Sequence, residues 1–214
     1  MIETPCNGKI DTVIFDFGGV LYDMPESRNL HKWLRILKMH QDEEIHQMFT
    51  DPNHSELFWD IMRGKIKERD LWASLAKKWQ IPSAIMALFQ RNMMSKKRLN
   101  KTMMTFMKSL KNAYKVGILS NAGDETRKTM EKIYRFDQIT DEIIISAEEG
   151  YAKPDREIYE IALGRLNSIP GKSLFIDDLP ENTQAAEALG MRAIHHQNAE
   201  ETIRQANLIL GEEG

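Results

Sequence analysis

The 214-residue chain has a single cysteine, Cys6, which excludes an internal disulfide framework and a zinc site built from several cysteines. It has no basic excess: 29 Lys and Arg stand against 32 Asp and Glu, a formal net charge of -3. Nothing in that balance neutralises a phosphate backbone, so no nucleic-acid partner is expected. No apolar run approaches the ~20 residues that span a bilayer, so no membrane association is expected either. Met1 to Lys9 carries acid, proline and asparagine where a signal peptide has a basic stretch and an apolar core. These absences lead us to expect a soluble, cytoplasmic protein. Internal repeats and low-complexity linkers are also missing. What is present is 42% hydrophobic and 29% charged residues, which argues against disorder and suffices for one core domain with a small insert.

Short apolar, β-branched runs recur at Thr12–Phe17, Lys115–Ser120, Glu142–Ser146, Ser173–Asp177 and Arg192–His196. Runs of this kind suit strands buried on both faces of a parallel sheet. Helical patterns separate them. Ile158, Ile161, Ala162 and Leu166 recur at helical spacing after Pro154, a residue suited to a helix start. Glu181–Leu189 is alanine-rich and is followed by Gly190, a helix stop. Strands alternating with helices imply an α/β fold, a parallel sheet with helices on both faces.

Met24 to about Lys97 lacks strand signals. Leu71, Trp72, Leu75, Ala76 and Trp79 form a helical stripe; Trp33, Leu34 and Leu37, and Phe58, Ile61 and Met62, suggest others. All four tryptophans fall here, and a small helical core explains them better than cofactor stacking does. The 13 methionines read as packing residues. We therefore expect a core from residues 1–20 and 98–214, interrupted by a helical insert at 21–97. Lys96-Lys97-Arg98 reads as a solvated face.

Four features stand at strand ends, the edge where open α/β sheets bind ligands. Asp16 ends the first run and precedes Gly18-Gly19, which permit a tight turn and close ligand approach. Ser120-Asn121 offers a hydroxyl and backbone N–H groups to an anion. Lys153-Pro154 places an ammonium just ahead of a helix start. Asp177-Asp178 puts two adjacent acids where burial is costly unless a cation neutralises them; a hard cation with oxygen ligands, such as Mg²⁺, would do so. Taken singly, each has an ordinary reading: a turn aspartate, a helix cap, a surface lysine, a hydrogen-bonded acidic turn.

Together, in this order, the four resemble the motifs of haloacid dehalogenase-like hydrolases, in the subfamily with a helical cap inserted after the first motif. The resemblance covers the chain from Thr12 to the last strand and implies a Rossmann-like core with a helical cap. It further implies that Asp16 attacks phosphorus and forms an aspartyl-phosphate. Mg²⁺ would be held by Asp16, the Gly18 carbonyl and Asp178, with Asp177 close behind. Ser120 and the Asn121 backbone would bind the phosphoryl group, Lys153 would offset its charge, and Asn182 would orient the acidic pair. The implied partner is a small-molecule phosphate ester.

The sequence departs from the family pattern at Gly18, where the usual second acid protonates the leaving group. Three explanations stand side by side: a good leaving group, such as the anomeric oxygen of a sugar 1-phosphate; a substitute acid, for which Asp23 is the nearest candidate; or a slow or non-catalytic member. The Asp-Phe-Gly-Gly-Val form resembles a branch with glucose-1-phosphate phosphatases and epoxide hydrolase N-terminal phosphatases. A dehalogenase would need no metal, leaving Asp177-Asp178 unexplained, and tends to carry an aromatic residue at the Gly18 position. A regulatory protein that keeps the fold without turnover is the reading from another class. No cap lysine, among Lys32, Lys38, Lys65 and Lys67, stands out for Schiff-base chemistry. His195-His196 lacks companions for a metal site; Glu148 touches at most a metal's water shell. Monomer and homodimer both remain open.

Overall fold

The computed structural model describes residues 9–24, 27–93 and 98–211; Cys6, Lys96 and Lys97 lie outside them. Strand β1 (Thr12–Phe15) leads into helices α1 (Ser27–Ile36), α2 (Glu43–Thr50), α3 (Glu56–Met62), α4 (Glu68–Lys78) and α5 (Ser83–Met93). Then follow α6 (Lys101–Leu110), β2 (Lys115–Ser120), α7 (Thr126–Thr129), β3 (Glu142–Ile145), α8 (Ser146–Glu149) and α9 (Arg156–Arg165). The chain ends with β4 (Ser173–Asp177), α10 (Pro180–Ala188), β5 (Arg192–His195) and α11 (Ala199–Leu210).

The five strands form one parallel sheet in the order β3-β2-β1-β4-β5, the α/β architecture the sequence implies. Their apolar residues are buried on both faces because two helical layers cover them. Val13, Phe15, Val116, Ile118 and Ile176 belong to one hydrophobic cluster with Met103, Met107 and Leu210. Ile14, Leu119, Ile144 and Phe175 belong to the other, with Ile158, Ala162 and Leu166 at the helical spacing seen in the sequence.

Strands β2 and β4 match their apolar segments, while β1, β3 and β5 run shorter. β1 stops at Phe15 because the Phe17 carbonyl turns back to accept from Leu21 N and Tyr22 N. β3 and β5 each end one residue earlier than expected, Ser146 opening α8 instead. Helix α9 starts at Arg156, two residues beyond Pro154.

Helices α1 to α5 enclose a third cluster, with Leu34, Leu37, Ile45, Met48, Leu57, Ile61, Leu75, Met86 and Phe89 at its centre. Trp33, Trp72 and Trp79 pack around it. N-terminal side-chain caps start two of the helices: Asp42 accepts from Ile45 N and Ser55 from Phe58 N. This layer hangs on a two-stranded stem. Asp23 N donates to Arg98 O at 2.7 Å and Asn100 N to Leu21 O at 3.0 Å. Among the described residues no helix is long and apolar enough to cross a membrane.

Candidate active site

The strand order reverses between β1 and β4, a topological switch point where the loops part and leave a crevice. The register pairs Phe15 with Ile176, so Asp16 and Asp177, one residue further along, emerge side by side. Ser120 ends β2 on the other flank of β1. Asp16, Ser120 and Asp177 are all buried.

Lys153 joins these strand ends. Its ammonium donates to Asp16 Oδ1 and to Asp177 Oδ2, each at 2.6 Å, with Lys153 itself only 2% exposed. A buried ammonium shared by two buried carboxylates is stable only as a set, since each charge is desolvated. Asn121 holds the lysine's own peptide group: its side-chain amide donates to Lys153 O at 2.8 Å and accepts from Lys153 N at 2.8 Å. The sequence assigned Asn121 a backbone contact to phosphate; its side chain serves to fix Lys153.

Asp177 and Asp178 differ in what they touch. Asp177 Oδ1 accepts from Leu179 N at 2.9 Å and from Asn182 Nδ2 at 3.0 Å, while Oδ2 takes Lys153. Both oxygens are thus engaged by donors, and of the acidic pair Asn182 contacts Asp177. Tyr159 steadies Asn182 by donating to its carbonyl at 2.9 Å. Asp178 is half-buried and faces the glycine turn. A Cβ on Gly19, whose φ is +84°, would lie 2.1 Å from Asp178 Oδ2, so this position requires glycine for both its backbone and its space. The sequence flagged the glycine doublet for ligand approach; it gave no sign that an acid 159 residues away lies against it.

Asp16, Asp177 and Asp178 each present an oxygen within 4.8 Å of the others. Three carboxylates face one ammonium, an excess of negative charge that a cation would relieve. Burial first, opposed by Lys153 and reinforced by Asp177 and Asp178, pushes the Asp16 carboxyl up to about 7. Burial and the neighbouring Asp177 raise Asp178 as well. Lys153 is held above its ordinary value: burial opposes its charge, and Asp16 and Asp177 outweigh it. The donor set is all oxygen, with Gly18 in the adjoining turn, and it suits a hard divalent cation such as Mg²⁺.

A Cβ on Gly18 would meet the Met24 thioether at 3.3 Å. The position of the absent second acid therefore faces the start of the stem. Asp23 is exposed there. His195 Nε2 meets the Asp178 carbonyl at 3.0 Å, and His196 Nδ1 meets Thr202 Oγ1 at 2.8 Å. Glu148 is bound by Arg127 at 2.6 Å. Lys65 pairs with Asp60 and Lys67 with Asp124.

The fold and the site together define a parallel α/β protein with a cluster of three carboxylates, Asp16, Asp177 and Asp178, at the switch point of its sheet. Residues 10–190 match the haloacid dehalogenase-like hydrolase family, and the chain belongs to that family. It is 28% identical to the sesquiterpene phosphatase astK of Aspergillus oryzae, over 92% of this chain and 95% of that one. It is 22% identical to a D-ribitol-5-phosphate phosphatase of Bacteroides thetaiotaomicron, over 94% and 98% of the two chains. A haloacid dehalogenase family enzyme from that bacterium, crystallised with magnesium and inorganic phosphate, shares the fold with a TM-score of 0.73 at 20% identity, covering 88% and 94%.

Proposed function

We propose that this hydrolase is a Mg²⁺-dependent phosphatase acting on a small phosphomonoester, with Asp16 as nucleophile. The observation that carries the reading is the Lys153 ammonium bridging Asp16 and Asp177 at 2.6 Å, with Asp178 beside them. The bridge holds one Asp16 oxygen and orients the other, Oδ2, for attack on phosphorus. The P–O bond to the leaving group breaks as the Asp16 acyl phosphate, a mixed anhydride, forms, the leaving oxygen departing as an alkoxide that takes a proton from water; a second water then hydrolyses the anhydride, releasing inorganic phosphate and restoring the Asp16 carboxylate. Splitting one slow hydrolysis into two steps is the gain from a covalent route. Asp16, the Gly18 carbonyl and Asp178 would hold Mg²⁺, with Asp177 setting the geometry through Lys153. Bound there, the cation supplies charge neutralisation for the phosphoryl oxygens. Ser120 and the Asn121 N–H would hydrogen-bond the phosphoryl group.

The relatives support small phosphate esters as the substrate class, since one is named for a sesquiterpene and another for a sugar-alcohol phosphate. A sugar phosphate with a good leaving group fits the glycine at position 18. In this reading residues 1–20 and 98–214 are the catalytic core, residues 21–97 the cap that selects the substrate, and the protein acts in the cytoplasm.

The test is phosphate release from para-nitrophenyl phosphate and a metabolite panel, with Mg²⁺ or with EDTA, for wild type and Asp16→Asn. Release that needs Mg²⁺ and vanishes in Asp16→Asn is expected. Equal release by Asp16→Asn would remove the nucleophile; metal-independent chloride release from a haloacid would make the protein a dehalogenase.

A further inference from the structure

Arg63 follows α3, with its guanidinium 5.1 Å from the Trp59 ring centre. It reaches across to the core and donates through Nε and NH2 to both Asp155 oxygens, at 3.1–3.3 Å. Asp155 lies two residues beyond Lys153. Its Oδ2 also accepts from Ala152 N at 3.3 Å, the residue just before Lys153. One carboxylate thus links the helical cap to the backbone on the near side of the lysine, while Asn121 fixes the lysine's own N–H and carbonyl from the core.

The segment following Arg63 is seated on the same group of turns. Gly64, at φ +69°, is pressed so closely on the Ala147 carbonyl that a Cβ would lie 2.0 Å from it. Glu68 N donates to Asp124 Oδ1 at 3.0 Å, and Glu125 N donates to Glu68 Oε2 at 3.3 Å. Residues 63–68 therefore contact the turns after β2, after β3 and around Lys153. Two of those three turns carry residues of the phosphoryl site.

We propose that Arg63 is a positioning residue, which through Asp155 fixes the turn that delivers Lys153 to Asp16, so that the lysine is aligned only while the cap loop is seated. The kinetic part of this inference rests on the phosphatase reading; the structural part does not. A bystander pair is the alternative: both side chains are about one-third exposed, 33% and 31%, and isolated pairs of that kind contribute little to stability. Alignment is a different demand, because a displacement of about 1 Å in a reacting group can cost roughly a hundredfold in rate.

The full-length protein and the variants Arg63→Met, Arg63→Lys, Asp155→Asn and the double variant Arg63→Met with Asp155→Asn separate the two. With Mg²⁺ and para-nitrophenyl phosphate, kcat should fall about tenfold to a hundredfold in Arg63→Met and in Asp155→Asn, with KM changed much less. Arg63→Lys should recover part of the loss. The double variant should be no slower than the slower single one, since one interaction is removed once. Hydrogen exchange on the metal-free proteins should show faster amides at 151–156, while β1 and β4 stay protected. Wild-type kcat in Arg63→Met, losses that multiply in the double variant, or unchanged exchange at 151–156 would each overturn the proposal. If Arg63→Met does not fold, Arg63→Lys and Asp155→Asn decide by the same criteria. If wild type releases no phosphate, the phosphatase reading fails, and exchange alone decides this one.

Discussion

Lys153 and Arg63 are both cations that span parts of the chain far apart in sequence, and they do so in opposite surroundings. Lys153 is sealed at the end of the sheet, where its two carboxylate partners have almost no water to replace it. Arg63 lies at the seam between the helical layer and the core, with about a third of its side chain in solvent. Losing a partner in the first place strands a buried charge; losing one in the second lets water take over. The sheet end is therefore built to be fixed, whereas water can replace either partner of the Arg63–Asp155 pair at small cost.

The largest expected effect comes from breaking the buried side of this contrast. Lys153→Met leaves Asp16 and Asp177 without their cation and should cost about 3–5 kcal/mol of stability, measured by urea unfolding in EDTA, along with all turnover. A midpoint close to wild type would show that those carboxylates are not charged together in the folded state.

Gly19→Ala should come next. The new methyl group meets Asp178 and forces a residue at φ +84°, which costs about 1–2 kcal/mol for the backbone alone, and it pushes aside a carboxylate assigned to the cation. Calorimetry should find Mg²⁺ binding weakened at least tenfold, on the scale of losing alignment in a metal's surroundings. Unchanged affinity would take Asp178 out of the cation site.

Asp16→Asn sharpens the comparison through pH. The Asp16 carboxyl is raised from 3.8 to about 7 in the folded metal-free chain. Between those values the folded state holds a proton that the unfolded state has released, so this group's contribution to stability falls as pH rises through the window. Asparagine removes that dependence. The variant's stability relative to wild type, in EDTA, should increase from pH 5 to pH 8. A constant difference would mean that Asp16 stays ionised throughout.

The smallest effect belongs to the seam. Arg63→Met should change unfolding free energy by about 1 kcal/mol or less, checked by thermal unfolding, even where turnover drops. A loss as large as that of Lys153→Met would erase the distinction between the two cations.

The positions of Ser120, Asn121, Asp177 and Asp178 at strand ends, and of Lys153 ahead of a helix, were legible because local pattern carries that information, whereas the Asn121 side-chain grip on Lys153 was not. Asp16 was legible for the same reason, and the helical insert was visible as a long interval with 3.6-residue periodicity and no β-branched run. Local pattern alone did not separate Asp177 from Asp178; only the family resemblance set them apart, and the contacts of Leu179 N, Asn182 and Lys153 to Asp177 appear only in the fold. The fit of Gly19 against Asp178 and the reach of Arg63 to Asp155, 92 residues away, left no trace in local spacing.

The amino-acid order alone determined a parallel α/β core with a helical insertion, and gathered the reactive residue types at one edge, since alternation and periodicity are properties of neighbours along the chain. Only the tertiary structure decided that Lys153 bridges Asp16 and Asp177, that Asp178 lies against the glycine turn, and that Arg63 of the helical layer reaches Asp155. Those choices depend on side chains meeting across the sheet and across the seam at hydrogen-bonding distance, and such distances exist only once the chain has folded.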